Sequence, residues 1–169
     1  MLKSVIALAL LANAALAEAA EPPCITEAEF RSVGLFLLPP LIEGAAGSCQ
    51  AHLPANAYLL TGGRQLAASV ARDGEAHRQA AIATLVRVGG GKIPEGVSGE
   101  TMASLISDMA RSELGKKMSA GDCREIDKAA ELLAPLPPEN LVGVIELLAR
   151  LGMKNGKRSP FRFCDARTL

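Results

Sequence analysis

The four cysteines are the residues most able to do chemistry in this chain: Cys24, Cys49, Cys123 and Cys164. All four follow an apolar N-terminal segment of the secretion-signal type. An even number of cysteines in an exported protein indicates disulfides, because such proteins fold in an oxidising compartment. Four cysteines allow three pairings, and no motif chooses between them. We predict two disulfides in chain order, Cys24–Cys49 and Cys123–Cys164, each fastening the ends of a helical segment.

Metal and cofactor chemistry has little support. Cys49 and His52 have a spacing that occurs in metal sites, but a structural zinc ion needs four ligands and His77 is the only other histidine. The sequence has no Cys-x-x-Cys pair and no haem-attachment motif. Residues 89–92, Gly-Gly-Gly-Lys, lack the rest of a phosphate-binding loop. The sequence therefore predicts no metal site and no cofactor.

Hydrolytic chemistry has only isolated candidates. The segment 96–99, Gly-Val-Ser-Gly, is one residue shorter than the hydrolase elbow motif. The acidic pairs Glu95 with Glu100 and Asp122 with Asp127 have the residue types of a glycosidase, but carboxylates on helix surfaces are usually solvated. Without tryptophan and with a single tyrosine, the chain has few rings on which sugars can stack. We predict no catalytic residues, and a cell-envelope hydrolase is the second alternative function.

One apolar stripe suggests a ligand site. Met102, Leu105, Ile106 and Met109 recur at positions i, i+3, i+4 and i+7, which places them on one face of a helix. Methionine adapts to irregular shapes, so this face suits a pocket between helices. Because ordinary helix packing gives the same pattern, we treat a periplasmic binding protein for a small apolar ligand as the first alternative function.

Basic residues concentrate in the C-terminal tail, residues 152–169. Lys154, Lys157, Arg158 and Arg162 are candidate contacts with an acidic partner. The whole chain has 18 basic and 18 acidic residues and no basic face rich in aromatic rings, so nothing indicates binding to nucleic acid. The partner that we expect is a protein, and the sequence does not identify it.

The first residues have the pattern of a cleavable secretion signal. Lys3 precedes an apolar stretch over residues 5–16, which is too short to cross a bilayer. Small residues then allow cleavage after Ala17 or Ala19. We predict a signal peptide over residues 1–17, a single domain over residues 18–169 without a transmembrane segment, and a location in the periplasm or outside the cell.

Glycines and prolines divide the mature chain into helices, which predicts an all-α fold: a single compact bundle of five or six helices. Thr26 and Glu29 form a capping-box pattern at the first helix. This helix is predicted to bend or stop before Pro39, because a proline ring clashes with helical backbone. The segment 141–151 is apolar over most of its circumference, which predicts the central helix of the bundle.

These observations lead to one main hypothesis for function. Two predicted disulfides and the lack of a catalytic motif are typical of a small exported protein without enzymatic activity. We expect it to act through protein contacts in the periplasm, as an accessory, inhibitory or stress-protective protein.

Overall fold

A computed structural model describes residues 23–91, 93, 95–115, 118–154 and 161–164. Within these ranges the chain forms short strands and helices in the order β1 (Cys24–Ile25), α1 (Glu27–Cys49), α2 (Tyr58–Thr61), α3 (Gly63–Gly74), a 3-10 turn (Glu75–His77), α4 (Arg78–Val88), α5 (Gly99–Gly115), α6 (Ala120–Leu133), α7 (Pro138–Lys154) and β2 (Arg162–Phe163). Six helices exceed one turn, and with two disulfides they confirm the predicted all-α bundle. The predicted signal peptide lies outside the described residues.

The first helix, α1, is the centre of the bundle. It packs against α3, α4, α5 and α7, and it buries Leu35, Ile42 and Ala45. The prediction that the last helix, α7, is central was therefore wrong. By length and composition α1 could also cross a membrane. Its packing against four other helices makes it the core helix of the domain.

Two prolines lie inside α1 without ending it, so the predicted stop before Pro39 was wrong. Proline has no N–H, so Pro39 leaves the carbonyl of Leu35 without its helical donor. Gly74 of α3 approaches this carbonyl so closely that an added Cβ would lie 2.7 Å from its oxygen. Pro39 and Pro40 are themselves buried, so this part of α1 packs inside the bundle.

Glycines also set the distance between α1 and two further helices. A Cβ at Gly34 would lie 2.5 Å from Cγ1 of Val142 on α7. A Cβ at Gly44 would overlap the backbone carbonyl of Arg111 on α5. Both glycines therefore allow an approach that any larger residue would prevent.

Side-chain caps stabilise the starts of two helices. The predicted capping box of Thr26 and Glu29 is present at the start of α1. Ser119 caps α6, and Asp122 lies in the first turn of that helix. Asp127 of α6 has a role that the sequence did not suggest. Its Oδ1 accepts a hydrogen bond of 2.6 Å from the amide of Leu59, which fixes the single turn of α2 against α6.

The disulfides pair differently from the prediction. Cys24 is bonded to Cys164, and Cys49 is bonded to Cys123. The predicted Cys24–Cys49 bond assumed a helix broken at Pro39. Because α1 runs unbroken for 23 residues, its ends are about 35 Å apart, far beyond the reach of a disulfide.

The two ends of the described chain meet beside α1. β1 and β2 form a two-residue parallel ladder in which Cys24 is aligned with Arg162. Phe30 of α1 packs against the rings of Phe161 and Phe163, with ring centroids 6.2 and 5.3 Å away. The Cys24–Cys164 bond therefore closes a small aromatic cluster at one side of the bundle.

Candidate interaction surface

The outer face of α7 is apolar. Leu147, Leu148 and Leu151 are 58, 60 and 49% exposed, and Val144, one turn before Leu148, is half-buried. These four side chains stand at i, i+3, i+4 and i+7, so they form one continuous stripe. Val142 on the opposite side of α7 and Leu141 in its first turn pack into the core. We call the stripe of Val144, Leu147, Leu148 and Leu151 the outer face of α7.

The two charged residues in the middle of α7, Glu146 and Arg150, lie away from this stripe, whereas Glu139 and Lys154 at the helix ends are exposed. Glu146 is buried, with 8% of its surface exposed, and its carboxylate forms an ion pair of 2.6 Å with Arg150. The guanidinium carbon of Arg150 lies 3.7 Å from the ring centroid of Phe163. This cation–π contact and the ion pair hold both charges beside the aromatic cluster.

The middle of α7, residues 144–151, thus has the reverse of the polarity that a surface helix normally has. Burying a carboxylate is costly unless it is paired, and exposing three leucines leaves apolar surface in water. Scattered apolar residues are common on protein surfaces, but a continuous stripe indicates a place where something binds. The spacing is also the one by which a helix is recognised in a groove.

The four residues of the predicted ligand pocket lie on α5. Leu105 and Met109 are exposed, and Met102 and Ile106 are half-buried. None of the four lines either of two cavities found among the described residues. The opposite side of α5 contributes Ser107 and other residues to one of these cavities, which has a volume of about 410 Å³.

The structure describes two of the four basic residues predicted for the tail. Lys154 is the last residue of α7 and is exposed, and Arg162 lies in β2. Lys157 and Arg158 lie outside the described residues, so the basic contact surface stays a prediction.

The two histidines lie in different surroundings. His52 is exposed after the end of α1. Nδ1 of His77 lies 3.0 Å from Oγ of Ser32, and that hydroxyl is also 3.0 Å from the carbonyl of Ala28. Ser32 has one hydroxyl proton for these two acceptors, and the tautomer of His77 determines which of them receives it.

The carboxylates considered for hydrolysis have structural roles. Glu100 pairs with Arg78 at 2.6 Å, and Asp127 holds α2. Hydrogen bonds from the side chain and backbone of Ser119 lower the pKa of Asp122. Among the described residues, no three histidine, cysteine or acidic side chains come close enough to hold a metal ion.

Sequence reasoning identified the leucines of α7 but assigned them to the core. The signal that distinguishes the two faces is weak, because Glu146 and Arg150 are the only charged residues between Asn140 and Leu151. Only the position of Phe163 shows why their face turns inward.

No known protein family matches the chain, and neither a curated protein nor a solved structure matches it.

Proposed function

We propose that this protein is an exported, non-enzymatic binding domain that acts through protein contacts in the periplasm, and that the outer face of α7 is its docking surface. The reversed polarity of α7 is the observation that carries the proposal. The two disulfides support an oxidising compartment, and the N-terminal signal pattern supports export.

The partner that fits this surface is a different protein with an apolar groove wide enough for one helix. The stripe from Val144 to Leu151 is only about 10 Å long, since a helix rises 1.5 Å per residue. A second copy of the chain would meet this stripe with the same short segment, which gives little area for a stable dimer. A groove encloses a helix on two sides and buries more of it.

A site-specific photo-crosslinker tests the surface in the protein's own host. We place the crosslinking residue at Leu148 and, in a matched control, at Gln79, an exposed residue of α4. An adduct with another polypeptide is expected from position 148 and not from position 79. The adduct should disappear when Leu147 and Leu151 are changed to serine, with the helical content and both disulfides unchanged.

Three outcomes would contradict the proposal. The first is no adduct from position 148, and the second is the same adducts from both positions. The third is an adduct of twice the monomer mass, which would assign the surface to self-association. Because Leu147 and Leu151 are exposed, their substitution by serine should change the free energy of unfolding by less than about 0.5 kcal/mol.

A further inference from the structure

A second cavity lies away from α7, beside the C-terminal half of α1. It has a volume of about 610 Å³, within the range of small-molecule sites. Its floor consists of Ile42, Leu53 and Leu59, which are all buried. Ala46 of α1 and Leu60 of α2 continue this apolar lining. The cavity therefore offers an apolar base that is open on one side.

The charges at the cavity are unbalanced. Arg64 of α3 lies at its rim, is exposed and makes no ion pair with any residue that the structure describes. The one acidic residue of the lining, Glu43, already forms an ion pair of 2.7 Å with Arg111. The unpaired charge is thus positive. The positive end of the α3 dipole, at Gly63, adds to it in a minor way.

We infer that this cavity binds a small amphipathic anion, with an aliphatic body on the floor of Ile42, Leu53 and Leu59 and a carboxylate beside Arg64. Burial of the aliphatic body supplies most of the affinity, because each methylene removed from water contributes to binding. Arg64 supplies the preference for a negative headgroup over a neutral one. This site is separate from the outer face of α7 and from the α5 stripe of Met102 to Met109.

Decanoate and decan-1-ol are matched probes, since they have the same chain length and differ in the charge of the headgroup. Binding is measured by calorimetry and by methyl chemical shifts in NMR. Decanoate should bind the wild-type protein saturably and shift the methyl resonances of Leu53 and Leu59. Arg64→Gln should weaken decanoate binding about two- to fivefold, which is typical of an exposed ion pair, and leave decan-1-ol binding unchanged.

Arg72→Gln is the control for charge, because Arg72 is an exposed residue of the same helix and does not line the cavity. Ala46→Leu fills part of the cavity and should weaken binding of both probes. If this variant loses helical content, Gly47→Leu replaces it, because a Cβ at Gly47 meets no atom within 4 Å.

Three results would overturn the inference. One is the absence of saturable decanoate binding to the wild-type protein. Another is an equal loss of affinity in Arg64→Gln and Arg72→Gln. The third is a set of methyl shifts confined to Leu147, Leu148 and Leu151, which would place the ligand on the outer face of α7.

Discussion

Glu29 connects three elements through one carboxylate. It accepts a hydrogen bond of 2.8 Å from the amide of Thr26 at the start of α1, and another of 2.7 Å from Arg87 of α4. Arg87 also donates to the carbonyl of Cys24 in β1. Partial burial opposes the ionisation of Glu29, but the hydrogen bonds from Thr26 and Arg87 outweigh it and lower its pKa.

This lowered pKa predicts a pH dependence of stability. The folded protein holds the Glu29 proton less tightly than the unfolded chain does, so the contribution is complete above the ordinary value of 4.5. It is lost as the pH falls through the lower, folded-state pKa. Glu29→Gln should therefore reduce the free energy of unfolding at pH 7, by about 0.2–1 kcal/mol, and the difference from wild type should shrink in acid.

Urea denaturation at a series of pH values measures this difference. Glu125→Gln is the control, since Glu125 is exposed and pairs with no residue that the structure describes. A difference between wild type and Glu29→Gln that stays constant from pH 7 to pH 3 would show that the charge of Glu29 contributes nothing.

Helix spacing around α1 depends on glycines in a way that can be tested within one helix. Gly44 and Gly47 are one turn apart on α1. A Cβ at Gly44 would overlap the backbone carbonyl of Arg111, whereas a Cβ at Gly47 would meet nothing within 4 Å. Gly44→Ala should therefore destabilise the protein by about 1–3 kcal/mol, because backbone on α5 must move.

Gly47→Ala should instead increase the free energy of unfolding by about 0.5–1 kcal/mol, because alanine loses less conformational entropy than glycine when the helix forms. Thermal and urea unfolding of the two variants gives the comparison. Equal stabilisation by both substitutions would show that Gly44 of α1 does not lie in close contact with the carbonyl of Arg111 on α5.

The sequence predicted a helix end that is set by neighbouring residues. It did not predict features that depend on contacts between residues distant in the chain. The capping box of Thr26 and Glu29 depends only on neighbours in the chain. The passage of α1 through Pro39 occurs where Gly74, which is distant in sequence, approaches the carbonyl of Leu35. The wrong disulfide pairing followed from that one error, because a broken α1 would have allowed Cys24 to reach Cys49.

The orientation of α7 also depends on residues outside the helix, so its sequence alone did not predict it. The helical period of the α7 leucines was visible in the sequence, but which side faces the core was decided by Val142 packing against Gly34 and by Phe163 beneath Arg150. Phe163 is held there by β2 and the Cys24–Cys164 bond. The strand β2 therefore helps to determine which side of α7 is exposed. The sequence of α7 alone does not predict that side.

On the scale of the whole molecule, the two disulfides differ in accessibility. Cys49 and Cys123 are fully buried, whereas Cys24 and Cys164 are half-buried beside the chain ends. The bonds join residues 140 and 74 positions apart, and in the chain-entropy model each stabilises the fold by about 4–5 kcal/mol. Both therefore matter for stability, but only one is easily reached by a reductant.

Brief treatment with a mild reductant should consequently open Cys24–Cys164 first. Alkylation followed by peptide mass mapping reports which thiols have become free, and the same map under non-reducing conditions verifies the pairing. In denaturant the two bonds should react at similar rates, which serves as the control. Alkylation of Cys49 and Cys123 before the other pair would contradict the prediction.

The nested order of these bonds constrains how the protein matures. As the chain is synthesised, Cys24 and Cys49 emerge long before their true partners. An oxidant that joins successive thiols would link the two ends of α1 and thereby keep that helix from forming. The native Cys49–Cys123 bond then arises by thiol–disulfide exchange, in which the Cys123 thiolate attacks Cys49 and releases the Cys24 thiol for later oxidation with Cys164. Maturation of this domain should therefore depend on disulfide exchange as well as on oxidation.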